Sequence, residues 1–226
     1  MKPLLFVFAI SLLSTATFPQ QVTVTATTNQ KEVERRLKTE RETGRINRAF
    51  FAEDDRCRAF LKAKEWIKAE SSCKLAISLA EKLPVNRLLE RSGARVSLGI
   101  ALLLQQRQKE AIPLFNRAVE IRETYSSEPD ADTADILSFL GHAYRLSNDI
   151  QSARAYYEKA ERTYRAAFVS IGVESDEIRF SYPGRLRDTL RAHYDMLRSV
   201  GLVAEAEVVR VRLVEVEKEF AKYLSD

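Results

Sequence analysis

The feature that most constrains this chain is a motif that returns at a fixed interval. A small residue near the end of one helical stretch is followed twelve residues later by Ala. An aromatic or Cys comes four further on, then another Ala three beyond it. The copies are Cys57–Ala69–Cys73–Ala76, Gly99–Ala111–Phe115–Ala118 and Gly141–Ala153–Tyr157–Ala160. The intervals 99−57 and 141−99 are both 42 residues. A looser fourth copy, Tyr194–Ala206–Arg210–Leu213, follows after 194−141, or 53, residues. Units of this size cannot bury an apolar face alone, so they stack on their neighbours as a solenoid.

Each unit reads as two amphipathic helices, A then B. In the second unit A spans roughly 87–105 and B 109–125; in the third, A spans 133–146 and B 148–168. Only 7 Gly and 6 Pro among 226 residues leave little room for a turn-rich β fold. Asn148 or Asp149 can cap the third B helix. Pro84 and the run Ser126–Asp132 separate successive units. Asp54-Asp55 and Asp130/Asp132 read as capping carboxylates.

Helices packed side by side approach closest where side chains are smallest. Cys57, Gly99 and Gly141 are therefore expected to face Ala69, Ala111 and Ala153. Phe60, Leu102 and Tyr144, three residues on, fill the wider part of that interface. Glycine inside a helix costs about 1 kcal/mol against alanine. Each glycine here is accordingly a prediction of close contact.

The ends of the chain read differently. Lys2 followed by the apolar run Pro3–Leu13 and by Ser14-Thr15-Ala16 has the pattern of a secretory signal, residues 1–16. Val24-Thr25-Ala26 is a later cleavage option. The run is too short to span a bilayer, for which about 20 residues are needed. Residues 17–48 read as a flexible leader and a charged helical segment breaking at Gly44, and 49–226 as the solenoid. The eleven extra residues before the fourth copy fall around Val173–Arg187. Phe180, Tyr182 and the Pro183-Gly184 turn suggest a loop there, either packed on the solenoid or open for binding.

No catalytic constellation is legible. His142 and His193 lack metal-ligand spacing partners, and there is no phosphate loop or nucleophile elbow. The expectation is no enzyme, no cofactor and no metal. A net charge of +4 from 36 basic and 32 acidic residues excludes a strongly basic nucleic-acid surface.

The copy Leu140-Gly141-His142-Ala143-Tyr144, with Ile150–Ala153, Tyr157 and Ala160, resembles the tetratricopeptide repeat. The period is similar to the longer repeats of kinesin light chains. The resemblance implies an all-α, right-handed α-solenoid of about four antiparallel helix pairs that binds a protein or peptide segment along its A helices. Residues one, four and five after the small A-helix position would line that groove. These include Arg58, Lys62, Ile100, Leu103, His142, Arg145 and Arg198, with Leu61, Leu104, Leu146, Asp195 and Ser199. The alternative is that the Leu and Ile among them pack between repeats. Cys57 and Cys73 fall at inward-facing family positions. In an exported, periplasmic or secreted chain they either bridge or pack as two small hydrophobes. The functional expectation is a scaffold or adaptor in a cell envelope; the alternative is a self-assembling piece that stacks through its terminal repeats. Tyr194 and Arg210 depart from the pattern, so the fourth copy reads as a cap with Arg210, Arg212, Glu215 and Lys218 outermost.

Overall fold

The computed structural model describes residues 18–170 and 176–221, with side chains described for 30–170 and 182–221. The signal segment 1–16 lies outside what is described, and Val24–Ala26 and Phe180 have only their backbone described. The chain divides into two units, Met1–Arg45 and Ile46–Asp226.

The described part of the first unit is the beginning of α1 (Phe18–Lys62). The helix runs without interruption through Gly44, so the expected break is corrected, and the residues from Phe18 onward that read as a leader and a separate charged segment belong to one helix. The residues around Gly44 are strong helix formers. Glu42 and Arg45 pair across it at 2.7 Å, and Glu32 holds Arg35 and Arg36 in the same way. Such exposed pairs are individually weak, yet together with high propensity they offset one glycine. Asp54 and Asp55 consequently sit inside a helix and do not cap one.

The second unit is all helix among its described residues. The end of α1 pairs with α2 (Trp66–Ala80), α3 (Leu88–Leu104) with α4 (Gln108–Tyr125), α5 (Ala131–Leu146) with α6 (Ile150–Ser170), and α7 (Asp176–Ser199) with α8 (Val203–Glu219). These four hairpins stack as an all-α solenoid. Asp130 caps α5 by accepting from the Thr133 amide, and Asp149 caps α6 by accepting from the Ser152 amide at 3.0 Å.

The four A-to-B turns are one device repeated. Lys64, Gln106, Asn148 and Gly201 each lie seven residues after the motif's first position. All four adopt left-handed backbone, at φ 60°, 59°, 59° and 79°. Each amide donates to the carbonyl three residues back: Leu61, Leu103, Arg145 and Arg198. The next amide donates five back, to Phe60, Leu102, Tyr144 and Leu197. This double closure satisfies the carbonyls that a helix C-terminus leaves unpaired. It reverses the chain identically in every copy, the fourth included.

The glycine contacts differ from the expected ones. A Cβ built on Gly99 would lie 2.6 Å from Phe115 Cε1, and one on Gly141 would lie 2.9 Å from Tyr157 Cδ1. The glycines make room for the rings sixteen residues later, and the alanines at 111 and 153 are not their nearest neighbours. A planar ring reaches further across the hairpin than a methyl group, so it claims the gap first. Each ring also touches the following A helix. Phe115 stacks on Phe139 with centroids 5.6 Å apart, and Tyr157 on His193 at 5.5 Å. Ala69, Ala111, Ala153 and Ala160 are buried beside them.

The extra residues of the fourth copy do not form the expected loop. From Asp176 they lengthen the A helix, which has 24 residues against 17 in α3 and 16 in α5. Pro183 and Gly184 lie inside it. Proline removes one early hydrogen bond. Burial of Leu186 and Leu190, and ion pairs from Arg185 to Asp132 and Asp135, hold the helix regardless.

Arginines tie neighbouring hairpins together. Arg91 on α3 donates to the carbonyls of Ala80, Glu81 and Leu83, closing the end of α2. Arg122 on α4 holds Asp130 at 2.7 Å and Asp132 at 3.0 Å. Burial pushes the Asp130 carboxyl up, but hydrogen bonds from Arg122 and Thr133 outweigh it and leave it below the usual range.

Candidate partner-binding site

Because every hairpin turns in the same way, equivalent A-helix positions form rows across the solenoid. One after the motif's first position are Arg58, Ile100, His142 and Asp195. Four after it are Leu61, Leu103, Arg145 and Arg198. Five after it, immediately before the turn, are Lys62, Leu104, Leu146 and Ser199.

The last row is exposed in all four copies. Leu104 is 48% exposed and Leu146 38%, large values for leucines inside helices. Lys62 stands at one end of this row. Arg198, one residue before Ser199, is exposed at the other. No ion pair to Lys62, Arg145 or Arg198 occurs among the described residues.

The other two rows are only partly available. Leu103 is 7% exposed and belongs to the core with Leu98 and Leu102; its assignment to the groove is corrected. Ile100 is half-buried against the same core. Arg58 faces back along its own helix to Asp54, with Asp55 at 3.7 Å. Burial raises the Asp54 carboxyl and Arg58 opposes that rise, so much of the guanidinium's charge is already answered. The floor thus shifts one position towards the turns.

His142 and Arg145 are brought together at the middle of the face. Arg145 Nη2 lies 3.3 Å from His142 Nδ1, and both side chains are half-buried. Burial, and then the neighbouring guanidinium, hold the imidazole below its ordinary pKa. It is therefore neutral at pH 7, and Nδ1 can accept from Arg145. Behind them, Tyr144 stacks on Tyr156 with centroids 5.2 Å apart. Burial pushes the Tyr157 hydroxyl up to about 12, against a smaller opposing effect of Arg145. The arrangement offers two apolar contacts and a polar, cationic flank. Among the described residues no group of His, Cys, Asp or Glu could hold a metal ion.

Sequence reasoning missed the left-handed residue of each turn, which positions the whole row. Asn148 and Gly201 carried a signal for it, since both tolerate positive φ; Lys64 and Gln106 carried none. It noted His193 but missed its burial against Tyr157, where neither ring nitrogen is hydrogen-bonded.

Fold and face together define a helical-hairpin repeat protein. Residues 90–166 match the tetratricopeptide repeat family model. Nearly identical TPR-like repeats of a Podosopora anserina kinesin light chain protein share 15% identity. They align over 74% of each chain with a TM-score of 0.58. A variant of those repeats aligns over 86% of this chain and 95% of its own at 13% identity, with a TM-score of 0.56. The TPR domain of Arabidopsis FLU, at 21% identity, covers 53% of this chain and 98% of that one with a TM-score of 0.48. No curated protein matches the chain significantly. The likeness to the Podosopora repeats is one of fold. No helix among the described residues is long and apolar enough to cross a membrane.

Proposed function

We propose that this chain is a non-catalytic scaffold or adaptor that holds a peptide or protein segment along its A helices. The observation that carries this reading is the row Lys62, Leu104, Leu146 and Ser199, exposed at one register position of all four hairpins. A partner would place apolar side chains on Leu104 and Leu146 and acidic groups near Lys62, Arg145 and Arg198. Lys2 and the apolar run Pro3–Leu13 support export to a cell envelope or beyond; N-terminal sequencing of the mature protein tests that part. The match of residues 90–166 to a repeat family supports a binding role over a catalytic one.

Chemical cross-linking of the mature protein in its native envelope, followed by mass spectrometry, identifies the partner. Binding is then remeasured with Arg145→Glu and Leu146→Asp. Each is expected to weaken the complex at least tenfold. Unchanged affinity in both would refute the proposed face.

A second reading, self-assembly, is favoured by one observation. Val208 and Val211, two outer residues of the last helix, are 61% and 50% exposed. Stacking through α8 would give a mass that rises with concentration in analytical ultracentrifugation, and Val211→Lys would abolish the rise.

A further inference from the structure

The first hairpin departs from the second and third at one pair of positions. Phe115 follows Gly99 and Tyr157 follows Gly141 by the same number of residues that separates Cys57 from Cys73, namely 16. In the second and third hairpins this pair is a ring seated on a glycine. In the first it is a disulfide, with Cα atoms 5.2 Å apart and both cysteines fully buried. Two thiols offer less contact across the hairpin than a ring on a glycine. Reduction would force the two sulfurs from a bond to van der Waals separation, about 3.5–4.0 Å, in a fully buried site shaped for the bond. The neighbouring first-hairpin residues Ala69 and Ala76 are small and add little contact to hold the hairpin once the bond is broken.

We infer that the Cys57–Cys73 disulfide is a redox-dependent lock that replaces ring-on-glycine packing in the first hairpin. Ordered packing of α1 on α2 then requires oxidation. As the bond forms, each sulfur loses its proton and one electron. The electron pair passes to the disulfide of a thiol–disulfide oxidoreductase or of a small disulfide such as oxidised glutathione, which is reduced to its thiols. Once closed, the buried sulfurs are shielded from in-line attack by a reducing thiolate. The lock is therefore set during folding and is released only when the hairpin opens. This inference stands independently of the proposed groove.

The experiment uses the mature chain purified without reductant. Intact mass after thiol blocking should show no alkylation and a loss of two hydrogens. Hydrogen exchange is then compared between the oxidised chain, the chain reduced with TCEP, and the Cys57→Ala/Cys73→Ala variant. Closing a loop of this length in the unfolded chain corresponds to roughly a hundredfold in the folding equilibrium. Amides of α2 and the end of α1 should therefore lose up to about a hundredfold protection on reduction or in the variant, while α5 and α6 keep theirs. Installing the pair used elsewhere, with Cys57→Gly and Cys73→Phe, should restore protection and make it indifferent to TCEP. Blocked free thiols in the unreduced protein would overturn the inference. So would unchanged protection after reduction, equal loss across α5 and α6, or failure of the glycine–phenylalanine pair to restore order.

Discussion

Gly99→Ala tests the packing rule on which the hairpins rest. The added methyl would lie 2.6, 2.7 and 3.0 Å from Phe115 Cε1, Cζ and Cδ1. Carbon atoms in favourable contact sit about 3.5–4.0 Å apart, so the ring would have to retreat by roughly 1 Å. It has little space to do so. Phe115 is fully buried and its far side is stacked on Phe139. Overpacking of this kind costs about 1–3 kcal/mol, and the closeness here argues for the upper part of that range. The alanine returns about 1 kcal/mol of helix propensity. The expected net effect is a destabilisation of about 1–2 kcal/mol. Gly93 on the same helix supplies the control, because a Cβ there meets nothing within 4 Å. Gly93→Ala should therefore stabilise by roughly 0.5–1 kcal/mol. Urea unfolding followed by circular dichroism measures both. Adding Phe115→Leu to Gly99→Ala completes a double-mutant cycle whose coupling should exceed about 0.5 kcal/mol. Equal stabilisation by the two alanines, or strict additivity in the cycle, would refute the reasoning.

The turns and the buried histidine give two further tests. Gln106→Gly and Lys64→Gly should each raise the urea midpoint, by up to about 1 kcal/mol in stability, because both sites hold left-handed backbone; the same change at an ordinary helical position such as Ala94 should do the opposite. Burial pushes His193 down to about 4, with Arg212 and Arg154 acting the same way and Glu158 opposing. The unfolded imidazole titrates near 6.5, so below that pH the unfolded chain binds the extra proton and stability falls until about pH 4. The loss should amount to roughly 3 kcal/mol across that window, and His193→Phe should flatten this limb in urea titrations run at successive pH values. A variant with an undiminished slope would assign the acid limb to other groups.

The repeat interval made the all-helical solenoid readable because the apolar and small residues recur in phase. Helix bounds in the second and third hairpins followed from the same phase to within two residues. What escaped depended on partners distant in sequence. Pro183-Gly184 carries every local sign of a turn, yet Arg185 and Leu186 are held by contacts that keep it helical. Leu103 looked available because its row was right, but burial is decided by how closely the neighbouring hairpin sits. Arg58 is accessible as expected, but its own helix places Asp54 beneath it and turns its charge inward. Local pattern reports periodicity well; it reports poorly which of several neighbours a side chain meets.

The rings that sit on Gly99 and Gly141 also reach the next hairpin, so one residue stabilises a unit and cements it to its neighbour. Cys73 makes no such ring contact. The junction between the first two hairpins rests on aliphatic packing of Ala69 and Cys73 with Leu98, Ala101 and Leu102, and adds polar ties, with Arg107 and Gln105 both on Glu70, and Arg91 on the end of α2. In a linear array with nearest-neighbour energies, the polar share of that junction is the part that varies with conditions. Salt screens its charges far more than it screens stacked rings. Rising ionic strength should therefore loosen the ties to Glu70 while the apolar seam keeps the first hairpin seated on the second.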